Sequence, residues 1–262
     1  MATSHRRRAL VTGASVGIGK AFAEELGRRG NDLVLVARNE EQLEELSLAL
    51  ERRHGISAEV LVADLSSPAE IARVVERLSQ GSQIDTLINN AGRGAHEAFA
   101  TSPLSDHLAQ IDLNVRALVE LCSAALTVMV ARGSGSVLNV ASVSAFQPVP
   151  NEAVYGATKA FVLSLTETLH VELKGTGVKV TALCPGFTRS EFQQRSGVAS
   201  SATPAFMWQE ASEVAVAGLD ALEAGKAICV PGMHNKVLAG VTKVTPRSLL
   251  RASAGVVTRR LG

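Results

Sequence analysis

The chain has 262 residues, 46% of them hydrophobic and only 3% aromatic, and its 26 Lys and Arg set against 25 Asp and Glu leave a net charge of +1. That length suits one large α/β domain with a full core, and the balanced charge excludes a general attraction to nucleic acid or acidic lipid. Three scattered cysteines (Cys122, Cys184, Cys229) and six histidines without ligand spacing exclude a disulfide scaffold or a metal site, so a reduced, cytoplasmic protein is expected.

The start, "MATSHRRRALVTG", is basic, but the apolar run behind it is too short for a secretory signal. No window is read as reaching the roughly 20 apolar residues of a membrane span. "RALVT" then reads as a buried strand, followed by a glycine-rich turn and the helical "GKAFAEELGRRG". "DLVLVA" is a second strand before the charged helix "NEEQLEELSLALERRHG". "AEVLVADL" leads into "SPAEIARVVERLSQ", whose Ser-Pro start suits a helix N-terminus. "IDTLINNAG" follows as strand and turn, then one long helix, "SDHLAQIDLNVRALVELCSAALTVMVARG", and the strand "GSVLNVAS". The helix containing "VYGATKAFVLSLTETLHVEL", the strand "GVKVTALCPG", the helix "ASEVAVAGLDALEAG" and a last strand "KAICVPG" complete the order.

Apolar strands alternating with helices require a parallel sheet covered on both faces. Right-handed crossovers then give a single-domain Rossmann fold over residues 1–262, a doubly wound parallel sheet of about seven strands. Its ligand crevice lies at the strands' C-terminal ends, where every notable short motif falls.

"VTGASVGIGK" puts Gly13, Gly17 and Gly19 between the first strand and first helix. Glycines there permit a tight turn and let a pyrophosphate approach backbone N–H groups at a helix N-terminus. The spacing G-x-x-x-G-x-G differs from the common G-x-G-x-x-G, and a methyltransferase could use a similar turn. After the second strand, where an NAD site places an acidic residue, this chain has Arg38, whose forked donors suit a 2′-phosphate. NADP(H) is therefore expected over NAD(H). Asp64 is placed to accept from the adenine amine, and could equally be a helix N-cap.

Further along stand "NNAG" (Asn89–Gly92), Asn114, Ser142, and Tyr155 with Lys159 four residues later. Tyr155 is the only tyrosine in the chain. With T-G-x-x-x-G-x-G at the start, this set in this order resembles the short-chain dehydrogenase/reductase family over roughly residues 8–186, nearest its ketoreductase and 17-beta-hydroxysteroid-dehydrogenase branch. The resemblance implies an NADP(H)-dependent enzyme that interconverts a carbonyl compound and an alcohol. It assigns Tyr155 as the acid, Lys159 to the nicotinamide ribose, Ser142 to the substrate oxygen and Asn114 to a proton path behind the lysine. It further implies cofactor contacts at Gly13, Ser15, Gly17, Ile18, Gly19, Leu65, Asn90, Ala91, Gly92, Pro185, Gly186 and Thr188, besides Arg38 and Asp64. Chemistry supports the pair: Tyr155 and Lys159 share a helix face, and a nearby cation favours an ionised phenol. Thr12 and Asn89 read as fold-stabilising members of their motifs.

A substrate lid is expected over about 187–210, where Phe187, Phe192, Phe206 and Trp208 fall. Its aromatic content points to an apolar substrate. Residues 226–262 hold seven Lys and Arg and no Asp or Glu. The basic, amphipathic tail at about 233–262 is expected to pack in a dimer, with peripheral membrane contact as its alternative. The apolar helices within 105–132 and 153–174 imply, through the family, a homodimer or homotetramer. A non-catalytic NADP(H) sensor is the second functional reading.

Overall fold

A computed structural model describes residues 6–191, 204–252 and 254. Seven strands form one sheet: β1 (Arg8–Thr12), β2 (Asp32–Ala37), β3 (Ala58–Val62), β4 (Thr86–Asn89), β5 (Gly135–Val140), β6 (Val178–Leu183) and β9 (Ile228–Cys229). Their order is β3-β2-β1-β4-β5-β6-β9, every pairing parallel. The chain winds outward from β1 to β3, then returns to β4 and winds the other way. That reversal opens a crevice above the C-terminal ends of β1 and β4.

Helices α1 (Gly17–Arg28), α2 (Glu40–His54) and α7 (Ala211–Glu223) cover one face. The other is covered by α3 (Pro68–Ser79), α5 (Ala117–Ala131) and α6 (Ala153–Glu172). The strands are buried from both sides, as their unbroken apolar runs require: Leu10, Val34 and Leu87 face one core, Val11, Leu35 and Ile88 the other. Pro68 opens α3 behind Ser67, where its missing N–H costs nothing.

The long helix expected across 105–132 is a composite. It runs as α4 (Leu104–Ile111), a π-helical turn at Asp112–Arg116 centred on Asn114, and α5. Together Leu104–Ala131 form a helix long and apolar enough to cross a membrane, which corrects the reading that no window does so. Its inner face packs Leu118, Leu121, Ala125 and Met129 into the core. Its outer face leaves Leu104, Leu108 and Val130 exposed.

Beyond β6, β7 (Thr188–Arg189) pairs in parallel with β8 (Gln209–Glu210) as a separate two-stranded sheet. Residues 192–203 of the expected lid, with Phe192, lie outside the described residues. So do residue 253 and residues 255–262 of the tail. The tail begins as α8 (Met233–Val244), with buried Asn235 facing inward and Met233, Val237 and Val241 outward.

Candidate active site

The glycine loop presents backbone. Val16, before α1, makes no side-chain cap and the first turn has no acidic residue, so the leading N–H groups of α1 are left for an anion. Gly13 takes φ of 66°, a left-handed conformation that brings its carbonyl under the Asn90 amide. A Cβ on Gly19 would collide with Gly13 O. Thr12 locks this loop to β4: its Oγ1 donates to Ile88 O and accepts from the N–H groups of Asn90 and Ala91, both at 3.0 Å. Gly13, Ser15, Gly17 and Gly19 are thereby brought to the same crevice as Asn90, Ala91 and Gly92, while Ile18 packs against the core beneath.

At the outer edge, Arg38 follows β2 with its side chain 70% exposed, and its Nη1 lies 3.8 Å from Asp64 Oδ2. Asp64 does not cap α3. It accepts from Ser66 N at 2.9 Å and Ser66 Oγ at 2.7 Å, and Ser67 precedes the helix. Burial pushes the Asp64 carboxyl up, but the Ser66 hydrogen bonds and the Arg38 charge outweigh it and hold the group below its ordinary value. The Leu65 side chain is buried in the core, leaving only its backbone for the crevice.

The reacting end is assembled from side chains. In the π turn, Asn114 Nδ2 donates to Arg93 O at 2.9 Å and Thr158 Oγ1 at 3.1 Å, and its Oδ1 accepts from Arg93 N at 2.9 Å. Lys159, 5% exposed, donates to Val140 O at 2.8 Å. A Cβ on Gly92 would lie 3.2 Å from Asn114 Oδ1 and 3.4 Å from Lys159 Nζ, so that turn joins the two ends of the site. Ser142 follows β5 and its hydroxyl hydrogen-bonds the Tyr155 phenol. Pro185 O accepts from Val143 N at 3.0 Å, and Thr188 Oγ1 donates to Gly186 O at 3.1 Å. All four expected reacting groups and the Pro185–Thr188 segment thus border one place.

The electrostatics differ from the expected arrangement. Burial pushes the Tyr155 phenol well above its ordinary value; the Ser142 hydrogen bond opposes this and the Glu152 charge adds to it. Lys159 is pushed down to about 8 by burial, against a weaker opposing effect of Cys184. Its ammonium lies 5.7 Å from the Tyr155 ring centroid and bonds a carbonyl instead. In the chain alone burial is the largest influence on the phenol and raises it, and Lys159 is not among the causes.

A family model described as short chain dehydrogenase matches residues 7–199. The chain belongs to the short-chain dehydrogenase family. It is an oxidoreductase of that family, and three relatives show its range. Sulfoacetaldehyde reductase 2 of Chromohalobacter salexigens is 37% identical over 186 residues, 70% of this chain and 73% of that one. A short-chain dehydrogenase from Sphingobium yanoikuyae, solved in complex with NADPH, is 35% identical with a TM-score of 0.83, covering 92% of this chain and 97% of that one. A bulky-bulky ketone specific alcohol dehydrogenase from Comamonas testosteroni is 31% identical with a TM-score of 0.80, covering 93% and 96%.

Within this short-chain dehydrogenase, some residues that build the site were not among the sequence candidates. Thr158 accepts from Asn114 and donates to Tyr155 O at 2.7 Å, bridging two of them. A hydroxyl at the buried face of an apolar helix was the available signal. Asn235 of α8 lies behind Gly186, where a Cβ would collide with its amide, so the start of the tail supports the Pro185–Gly186 turn. The lid aromatics divide. Phe187 and Trp208 pack with centroids 5.6 Å apart, whereas Phe206 is 74% exposed.

Proposed function

We propose that this chain interconverts a ketone or aldehyde and an alcohol, with NADP(H) as its cofactor. The observation that carries the reading is the half-buried Tyr155 phenol, hydrogen-bonded to Ser142 and one helical turn from Lys159, with the Asn90–Gly92 turn between that lysine and the glycine loop. The crevice fits the cofactor chemically. The uncapped start of α1 offers donors for a pyrophosphate, with Gly13, Ser15, Gly17, Ile18 and Gly19 around it. Exposed Arg38 suits a 2′-phosphate, Asp64 and the Leu65 backbone an adenine, and Pro185, Gly186 and Thr188 a carboxamide.

When bound, the nicotinamide supplies or accepts the hydride at the substrate carbon. The chain's own residues handle the oxygen. In reduction, Tyr155 donates its phenolic proton to the carbonyl oxygen, and Ser142 donates a hydrogen bond to the same oxygen as charge develops there. Lys159, at about 8, gives a proton back to the phenolate and regains one from solvent. Asn114 holds Thr158 and the Arg93 backbone, and so positions the helix that carries both groups. In oxidation each proton moves the other way.

An apolar substrate is supported by the Phe187–Trp208 pair and by the bulky-ketone specificity in the name of the Comamonas enzyme. A homo-oligomer is supported by the exposed Leu104, Leu108, Ile111 and Val119 on α4 and α5 and by Phe161 and Val171 on α6. The three free cysteines accord with a cytoplasmic protein. The test is NADPH oxidation against ketones, quinones, steroids and 3-oxoacyl thioesters, with Tyr155→Phe beside the wild type and NADPH binding measured for both. Turnover by wild type alone supports the reading. Tight NADPH binding with silence across the panel favours the nucleotide sensor instead.

A further inference from the structure

The tail helix α8 carries apolar side chains on the face turned away from the fold. Asn235, Ala239 and Thr242 are buried on its inner side. On the outer side Met233, Val237, Val241 and Val244 are 73%, 59%, 52% and 82% exposed. Steps of four, four and three residues place these side chains in one stripe along the helix. Gly240 lies within the stripe, and nothing stands within 4 Å of where its Cβ would be. A helix at a protein surface ordinarily turns charged and polar residues outward there. Leu249, in the helical segment that resumes after Pro246, is exposed as well.

The charges that accompany this stripe have one sign. Lys236 stands at its edge, and Arg247 and Arg251 follow in the next helical segment. All three are exposed, and none has an ion-pair partner among the described residues. Glu210, beside the Gln209 that packs on α8, is already paired with Arg189 at 3.0 Å. Residues 226–262 hold seven Lys and Arg and no Asp or Glu, in a chain whose net charge is only +1. Two copies of the chain meeting symmetrically through α8 would set these cations against one another, with no carboxylate in the segment to answer them. An anionic lipid surface answers both features. The apolar stripe enters the boundary between headgroups and acyl chains, and the long basic side chains reach the phosphates around it.

We infer that the outer face of α8 docks this chain on a bilayer surface rich in anionic phospholipid. The inference does not depend on the carbonyl–alcohol chemistry, but it bears on where that chemistry takes place. On the inner side of α8, Asn235 lies behind Gly186, and the side-chain amides of Asn235 and Gln209 are 2.9 Å apart. A helix is about 10 Å across, so a docked lipid surface runs roughly one helix diameter from the Pro185–Gly186 turn. The reacting end is thereby held close to the phase in which an apolar carbonyl compound concentrates.

The test is flotation of the full chain, without substrate, on vesicles of phosphatidylcholine alone and of equal parts phosphatidylcholine and phosphatidylserine. The chain should float with the anionic vesicles, and raising the salt from about 0.05 M to about 0.5 M should release much of it. Two variants separate the contributions, each at exposed positions and each checked for folding by NADPH titration. Lys236→Gln with Arg247→Gln and Arg251→Gln should weaken binding about 100-fold, at roughly fivefold for each charge near the surface. Val237→Glu with Val241→Glu should weaken it by about 100-fold or more, through lost apolar burial. Absence of binding to anionic vesicles at low salt would overturn the inference, as would equal binding to neutral ones. Wild-type binding by either variant would also overturn it. Light scattering decides against a second copy: a change of oligomeric state in the Val237→Glu, Val241→Glu chain would make this face a subunit contact and sink the lipid reading.

Discussion

The two ends of the crevice are made of different material. At the nucleotide end the working parts are backbone: a left-handed Gly13, the uncapped first turn of α1, and two N–H groups tied to Thr12. At the reacting end they are side chains from separate elements, with Asn114 in a π turn, Ser142 after β5, and Tyr155 and Lys159 on α6. Backbone donors carry no titration and are lost only when the loop cannot form. Buried side chains carry all their chemistry in one or two atoms, and their protonation follows their burial. The first end should therefore fail through shape and the second through single atoms.

The largest expected effect breaks the reacting end alone. Tyr155→Phe removes one oxygen from the reacting end, so turnover should fall about 100- to 10,000-fold, the span of general acid catalysis. NADPH affinity should change by less than about twofold, since no backbone donor moves. Stopped-assay turnover and fluorescence titration read the two quantities; parallel losses in both would erase the distinction between the ends. Gly19→Ala is the converse. Its Cβ would meet Gly13 O and the Asn90 amide, and forcing that loop apart should weaken NADPH binding by about 10- to 100-fold, the equivalent of 1–3 kcal/mol of overpacking. Smaller again is Arg38→Asp, which leaves the loop intact and reverses one exposed charge. The NADPH-to-NADH preference in kcat/KM should fall about tenfold or more, as expected for a lost charge-assisted hydrogen bond to a phosphate. An unchanged preference would remove Arg38 from the site.

The same contrast governs what could be read in advance. The β–α alternation, the parallel sheet and the glycine loop are local patterns, and a stretch such as "VTGASVGIGK" carries its own geometry. Tyr155 and Lys159 were legible as a pair because four residues along a helix place them on one face. Their charge state was not legible, since it is set by burial from several elements at once, which raises the phenol and lowers the lysine in the chain alone. The π turn was also hidden. Asn114 is held by Arg93 and Thr158, residues 21 and 44 positions away, and no local pattern in "IDLNVRAL" announces such a turn.

The smallest effect comes from a position that touches neither end, and it serves as the control. Glu25, buried on the last turns of α1, accepts from Arg28 Nε and Arg29 Nε, both at 2.7 Å, while Arg29 also reaches Asp220 and Glu223, both on α7. The Arg28 hydrogen bond, opposed by burial and reinforced by Arg29, holds the Glu25 carboxyl at about 2 against an ordinary 4.5. A carboxyl lowered in the folded state stabilises fully above its unfolded value, and that stabilisation is lost as pH falls through the folded one. Glu25→Gln should therefore cost about 2 kcal/mol at neutral pH, and the gap from wild type should shrink by more than half near pH 3. Denaturant titrations at the two pH values measure it. NADPH affinity and turnover per folded molecule should stay at wild-type values, because the charge cluster joins α1 to α7 at the end of α1 remote from the glycine loop. A change in either would mean that the two ends are coupled through α1, and that shape and single-atom chemistry do not fail independently in this fold.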